Sequence, residues 1–112
     1  MALGDLERSV MDLLWDLPGA HTANDVRDAL PGNLAVTTVL TVLARLEKKG
    51  MVRRDGGRRP HRYAATSTRE EHTVGLLNDV LGSVPDRQAV LTRFIGGIEA
   101  EEAAAVRRLL DS

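Results

Sequence analysis

The sequence predicts a mainly α fold with one small β-hairpin, and three observations lead there. Between residues 5 and 49 the apolar residues recur at the i, i+3/i+4, i+7 spacing of amphipathic helices. Two short extended runs, Met51 to Asp55 and His61 to Thr66, then flank the pair Gly56-Gly57. From residue 67 onward the helical period returns with broader apolar faces.

The first helix reads from Asp5 to Leu17, since Leu6, Val10, Leu13, Leu14 and Leu17 share a face, and Pro18-Gly19 stops it. After a short extended piece at Ala20-His21, Thr22 to Asp25 has the form of a capping box with Asp in place of Glu. It starts a second helix through Val26, Ala29 and Leu30, which Pro31-Gly32-Asn33 ends. The third helix runs from about Val36 to Lys49, with Gly50 suited to the left-handed position after its end. Val39, Val42, Leu43 and Leu46 form its core stripe. The opposite face holds Thr37, Thr41, Ala44 and Lys48, flanked by Thr38, Leu40 and Arg45.

Met51 to Asp55 and His61 to Thr66 read as the two strands of a hairpin, with Gly56-Gly57 as a tight turn able to take positive φ. Pro60 suits only an edge position. Helix, short strand, helix, turn, helix and two-stranded hairpin is the element order of a winged helix-turn-helix.

The remaining residues form a helical tail. Ser67 to Glu70 or Thr68 to Glu71 can serve as the capping box of a helix bearing Val74, Leu77 and Leu81. A shorter helix begins around Ser83 to Asp86, with Pro85 early in it, and carries Val90, Leu91, Phe94 and Ile95 before Gly96-Gly97 breaks it. A last helix, about Ala100 to Leu110, presents Ala103, Val106, Leu109 and Leu110. Three short helices in about 45 residues rarely enclose a core of their own. The chain therefore divides into a winged-helix domain at 1–67 and a helical dimerisation domain at 68–112. A second copy is expected to cover Val74, Leu77, Leu81, Leu91, Phe94, Ile95, Val106, Leu109 and Leu110.

Composition limits the function. A chain of 112 residues, 43% hydrophobic and 28% charged, is large enough for one compact domain, or for a small domain plus an accessory piece that needs a partner to bury its apolar face. No apolar run approaches the roughly 20 residues that span a bilayer. The opening residues carry acids where a signal peptide carries basic residues. These features predict a cytoplasmic protein without membrane insertion. Cysteine is absent, and His21, His61 and His72 have no metal-ligand spacing. No glycine-rich phosphate loop follows a strand, so neither an enzyme, a cofactor nor a metal site is expected.

The net charge of −1 conceals a strongly basic block. Residues 45–62 carry eight Lys and Arg against Glu47 and Asp55, a local balance of +6 inside an otherwise acidic chain. Such a block fits a polyanion, and the hydroxyl-rich outer face of the third helix fits the major groove of DNA. Thr hydroxyls can hydrogen-bond base edges, and Thr, Ala and Leu carbons can pack on thymine methyls. Thr37, Thr38, Leu40 and Thr41 are the candidate base readers. Arg45 and Lys48 are placed for phosphates, and Arg54, Arg58, Arg59 and Arg62 for the adjacent backbone or minor groove. Amides near Thr22 to Asn24 offer a further phosphate contact.

The stretch TTVLTVLARLEKKGMV from Thr37 to Val52, followed by a basic hairpin ending in Tyr63, resembles the penicillinase-repressor family (the BlaI/MecI type). Thr38, Val39, Thr41, Val42, Leu43, Arg45, Leu46, Lys49 and Gly50 match its pattern, and Leu6, Glu7, Val10, Met11 and Trp15 follow its opening. The resemblance implies a homodimeric repressor on a dyad operator, often with TACA/TGTA half-sites, controlling β-lactam-resistance or related stress genes. It further implies relief by a membrane sensor-protease that cuts within the C-terminal helices. The best-known members are cut at Asn-Phe, whereas the matching place here reads Arg93-Phe94. Two other readings fit the same residues: a winged-helix protein-interaction module, and a MarR-like ligand-responsive regulator.

Overall fold

A computed structural model describes residues 3–57 and 59–112. Six helices and three short strands follow the chain: α1 (Asp5–Asp16), β1 (His21–Thr22), α2 (Ala23–Ala29), α3 (Val36–Lys48), β2 (Val52–Asp55), β3 (Arg62–Ala65), α4 (Arg69–Gly82), α5 (Arg87–Gly96) and α6 (Ala100–Leu110). Two compact units result, one ending at Leu76 and one spanning Leu77–Ser112, with α4 continuous across the boundary. The mainly α architecture with a small antiparallel sheet agrees with the sequence reading.

The first unit closes around one core. Val10, Met11 and Leu14 of α1, Val26 of α2, Val39, Val42, Leu43 and Leu46 of α3, Val52 of β2 and Tyr63 of β3 are all buried there. The predicted inner stripe of α3 is thus its inner stripe. Gly50 sits at φ +77°, a left-handed conformation that costs other L-residues about 1 kcal/mol or more, and so ends α3 where expected. The Thr22 hydroxyl accepts from the Asp25 N–H, and the Asp25 carboxylate accepts from the Thr22 N–H, each at 3.1 Å. This reciprocal pair is the capping box read from the sequence.

Three expectations are corrected. The sheet has three strands in the order β1-β3-β2, because His21 and Thr22 pair antiparallel with Tyr63 and Arg62. The short extended piece covers the edge of β3 that a two-stranded hairpin would leave open. In the β2-β3 connection neither Gly56 nor Gly57 takes positive φ. Instead the Asp55 carboxylate accepts from the Gly57 N–H at 3.1 Å, turning the chain through a side chain. Pro85 lies before α5 rather than within it, since Asp86 caps the helix by accepting from the Ala89 N–H at 3.0 Å.

Of the two boxes available to α4, the chain uses Thr68 and Glu71, which exchange hydrogen bonds at 3.0 and 3.1 Å. In the second unit, α5 and α6 contain no buried residue, and neither does any part of α4.

Candidate nucleic-acid interface

The outward face of α3 is the base of the site. Val39 has no exposed surface, while the adjacent Leu40 is 41% exposed, so the helix turns sharply from core to solvent at this point. Thr37, Thr38, Thr41, Ala44, Arg45 and Lys48 are exposed with Leu40. Ala35 supplies no side-chain cap at the positive end of the α3 dipole, and its carbonyl accepts from the Thr38 N–H at 3.0 Å.

The three threonines are not equivalent. Thr41 donates its hydroxyl proton to the Thr37 carbonyl at 2.9 Å, so outward it offers only oxygen lone pairs and a methyl group. The hydroxyls of Thr37 and Thr38 have no protein partner among the described residues and remain able to donate.

Beside this face, an open groove is bounded by Thr22 and Asn24 at the start of α2, Leu40 of α3, and Arg59, His61 and Tyr63 near the sheet. Its β2-β3 turn is braced by the Asp55 carboxylate and by the His61 ring, whose Nδ1 lies 3.1 Å from the Asp55 carbonyl. A carbonyl can only accept, so that nitrogen carries the proton. Arg59 and Arg62 are exposed around the turn. Arg58 lies outside the described residues.

The basic block is partly occupied within the protein. Lys49 Nζ lies 2.9 Å from both carboxylate oxygens of the buried Glu7, joining the end of α3 to the start of α1. Glu7 Oε1 also accepts from the Gly4 N–H at 2.9 Å. Lys49 first, and the Gly4 amide second, hold the Glu7 carboxyl below its ordinary value of 4.5. Arg54 lies 3.6 Å from Glu47, so it reaches the outside as a paired cation. Arg45 and Lys48 have no ion pair among the described residues and keep their charge for an external anion.

The amides near Thr22 to Asn24 differ from the sequence reading. The capping box sets the Asp25 carboxylate at the mouth of α2, where the Thr22 amide and hydroxyl hold it ionised, below its ordinary 3.8. A fixed negative charge there opposes a phosphate.

Sequence reasoning missed a second cluster on the same unit. Trp15 of α1 donates its indole N–H to the Ser67 carbonyl at 3.0 Å. The Arg69 guanidinium lies 5.4 Å from the Trp15 ring centroid, 3.0 Å from Asp16 Oδ1 and 3.5 Å from Asp12 Oδ1. The His72 ring sits 5.3 Å from that indole. Trp15 was visible in the sequence as the single tryptophan, but its partners lie more than 50 residues away.

The residues expected at a dimer interface fall on α4, α5 and α6. Val74, Leu77, Phe94, Ile95, Leu109 and Leu110 are exposed in one chain, with Leu81, Leu91 and Val106 half-buried. Arg93 and Phe94 are exposed on α5, within the helix rather than in a loop. No group of described residues is arranged to hold a metal, and no helix of the described residues is long and apolar enough to cross a membrane.

Comparison with known proteins bears on the whole chain. The family model described as penicillinase repressor matches residues 3–112. The transcriptional regulator BlaI of Mycobacterium tuberculosis is 46% identical over 113 residues, covering 96% of this chain and 82% of that protein. Among solved structures, a MarR family protein from Bacillus stearothermophilus superposes with a TM-score of 0.55 at 18% identity, covering 99% of this chain and 72% of the other. Bordetella bronchiseptica BpsR, whose DNA binding is regulated by 6-hydroxynicotinic acid, gives 0.51 at 24% identity, covering 97% and 73%. At these identities the structural likeness establishes the winged-helix fold alone.

Proposed function

Because the chain belongs to the penicillinase repressor family, we propose that it represses transcription as a cytoplasmic homodimer bound to dyad operator DNA. The observation that carries this reading is the exposed face of α3, where Thr37, Thr38, Leu40 and Thr41 stand opposite a fully packed core stripe. Short side chains on a helix of this kind can approach base edges in the major groove, with the N-terminal residues of the helix reading first. Arg45 and Lys48 further along α3 take phosphates, and Arg54, Arg58, Arg59 and Arg62 take the flanking backbone or minor groove.

The helical tail supports the two-fold part. Its apolar residues are exposed in the single chain, an arrangement a second copy would cover. In this reading residues 1–67 bind DNA and 68–112 dimerise. The regulated genes are those of β-lactam resistance or a related stress. Release follows cutting of the tail by a membrane sensor-protease, with Arg93-Phe94 as the matching bond. Since that bond lies inside α5, a protease must first open the helix to bring it into an extended cleft.

Titration of full-length protein into its own promoter DNA tests the reading. A shifted complex at a dyad site is expected, weakening by more than tenfold between about 50 and 200 mM salt. Arg45→Ala and Lys48→Ala are expected to weaken it on all sequences alike, whereas Thr38→Ala changes the preferred sequence. No complex at low salt rejects the proposal.

A further inference from the structure

Where a hydroxyl stands along a helix decides whether the backbone takes its proton. Among the described residues, every serine and threonine more than one turn inside a helix donates to the carbonyl four residues back. Ser9 reaches Asp5 at 3.1 Å, Thr41 reaches Thr37 at 2.9 Å, and Thr73 and Thr92 reach Arg69 and Gln88, each at 2.8 Å. Thr37 and Thr38 stand in the first turn of α3, so the residues four back, Asn33 and Leu34, precede the helix and its N-cap Ala35. No helical carbonyl lies behind them, and their hydroxyls have no protein partner among the described residues. Of the three threonines on the outer face of α3, Thr41 alone gives its proton to the backbone.

The difference matters in a groove whose bases differ in hydrogen-bond polarity. Adenine and cytosine each present an amino donor to the major groove, whereas guanine presents two acceptors, and thymine an acceptor and a methyl group. The Thr41 oxygen can accept from an amino group with its internal bond intact. Against a keto oxygen it must either set acceptor against acceptor or swing to another rotamer and give up the bond to Thr37. The helix cannot roll to offer a different atom, because Val39, Val42, Leu43 and Leu46 lock its inner stripe into the core.

Resting on the operator reading above, we propose that Thr41 is a polarity filter in base recognition, accepting the amino group of adenine or cytosine and rejecting the keto groups of guanine and thymine. Thr37 and Thr38 keep their protons, can donate or accept, and impose no such restriction. Leu40 has no side-chain hydrogen bond to offer. The filter therefore acts at one base position in each half-site.

The test measures binding of full-length wild type, Thr41→Val and Thr41→Ser to the promoter dyad, with each position of one half-site replaced in turn by all four bases. Thr41→Val keeps the side-chain shape without the hydroxyl, and Thr41→Ser keeps the hydroxyl and its bond to the backbone. At one position wild type is expected to favour adenine and cytosine over guanine and thymine by roughly three- to tenfold, the worth of one ordinary hydrogen bond. Thr41→Val is expected to flatten that position alone, by losing affinity for the amino bases, while Thr41→Ser retains the preference. Unchanged preferences at the other positions show that the variants are folded. At the filtered position, 2-aminopurine pairs with thymine but carries no amino group in the major groove. Wild type is expected to bind it as weakly as guanine, and Thr41→Val to bind it as well as adenine.

Three results overturn the inference and leave the operator reading standing. One is a keto base that binds wild type as well as an amino base at the position Thr41→Val flattens, since the hydroxyl then donates. Another is Thr41→Val that alters no position. The third is Thr41→Ser that loses the preference, which would assign it to the methyl group. Wild type that binds no dyad removes both readings.

Discussion

The two units of this chain solve burial in opposite ways. Twelve hydrophobic residues between Val10 and Tyr63 are buried within the first unit, whereas the second has no buried residue although its helices carry apolar faces. The difference is one of connectivity. Three helices and a small sheet in the first unit cross one another and close a core from all sides. In the second, short helices leave Phe94 at 61% exposed, Leu109 at 75% and Leu110 at 79%. One unit is finished by its own sequence, and the other has apolar surface left over.

Substitutions should separate the two, most sharply in the core. Leu43→Ala is expected to destabilise by about 3 kcal/mol, as for other fully buried leucines, with the same loss at every protein concentration in thermal melts. A concentration-dependent loss would mean that the first unit also relies on a partner. Next in size, Lys49→Met leaves the Glu7 carboxylate buried without its cation, at a cost of about 2 kcal/mol near pH 7. Because Lys49 and the Gly4 amide lower the Glu7 value in the fold, the pair stabilises fully above the ordinary 4.5 and loses its contribution as pH falls through the lower folded value. Chemical denaturation at pH 7 and pH 3 should therefore show the penalty of Lys49→Met shrinking in acid. An unchanged penalty would assign the effect to packing.

Phe94→Ala probes the second unit. A side chain this exposed in one chain contributes little there, so the expected effect is intermolecular: a rise of tenfold or more in the dimer dissociation constant by sedimentation, about 1.4 kcal/mol. Unchanged association would remove α5 from the dimer face. Thr22→Ala is the smallest, about 1 kcal/mol for a lost N-cap, and should appear as faster amide exchange in α2.

Local features were legible in the sequence, and distant pairings were not. The inner stripe of α3, Gly50 at its end and the Thr22-Asp25 box depend on residues within one or two turns of each other, where spacing alone decides the geometry. β1 escaped as a third strand because a two-residue strand has no alternation to read and its partner Tyr63 lies far along the chain. The charge count of the basic block at residues 45–62 includes Lys49, because nothing near it in the sequence reveals Glu7, 42 residues away. The same holds for Trp15 and Ser67, 52 residues apart. The outer face of α3 was legible to the residue, yet the internal bond that spends the Thr41 proton was not.

The Glu7-Lys49 pair also bears on what a salt titration would count. Cations that neutralise phosphates release condensed counterions, and the slope of log affinity against log salt is about −0.9 per phosphate neutralised on B-DNA. Lys49 already spends its charge on a carboxylate inside the fold, so it has none to exchange with the ion atmosphere of DNA. Per protomer, the phosphates counted by the slope should therefore fall short of the eight cations in residues 45–62, and Lys49 is one that it omits.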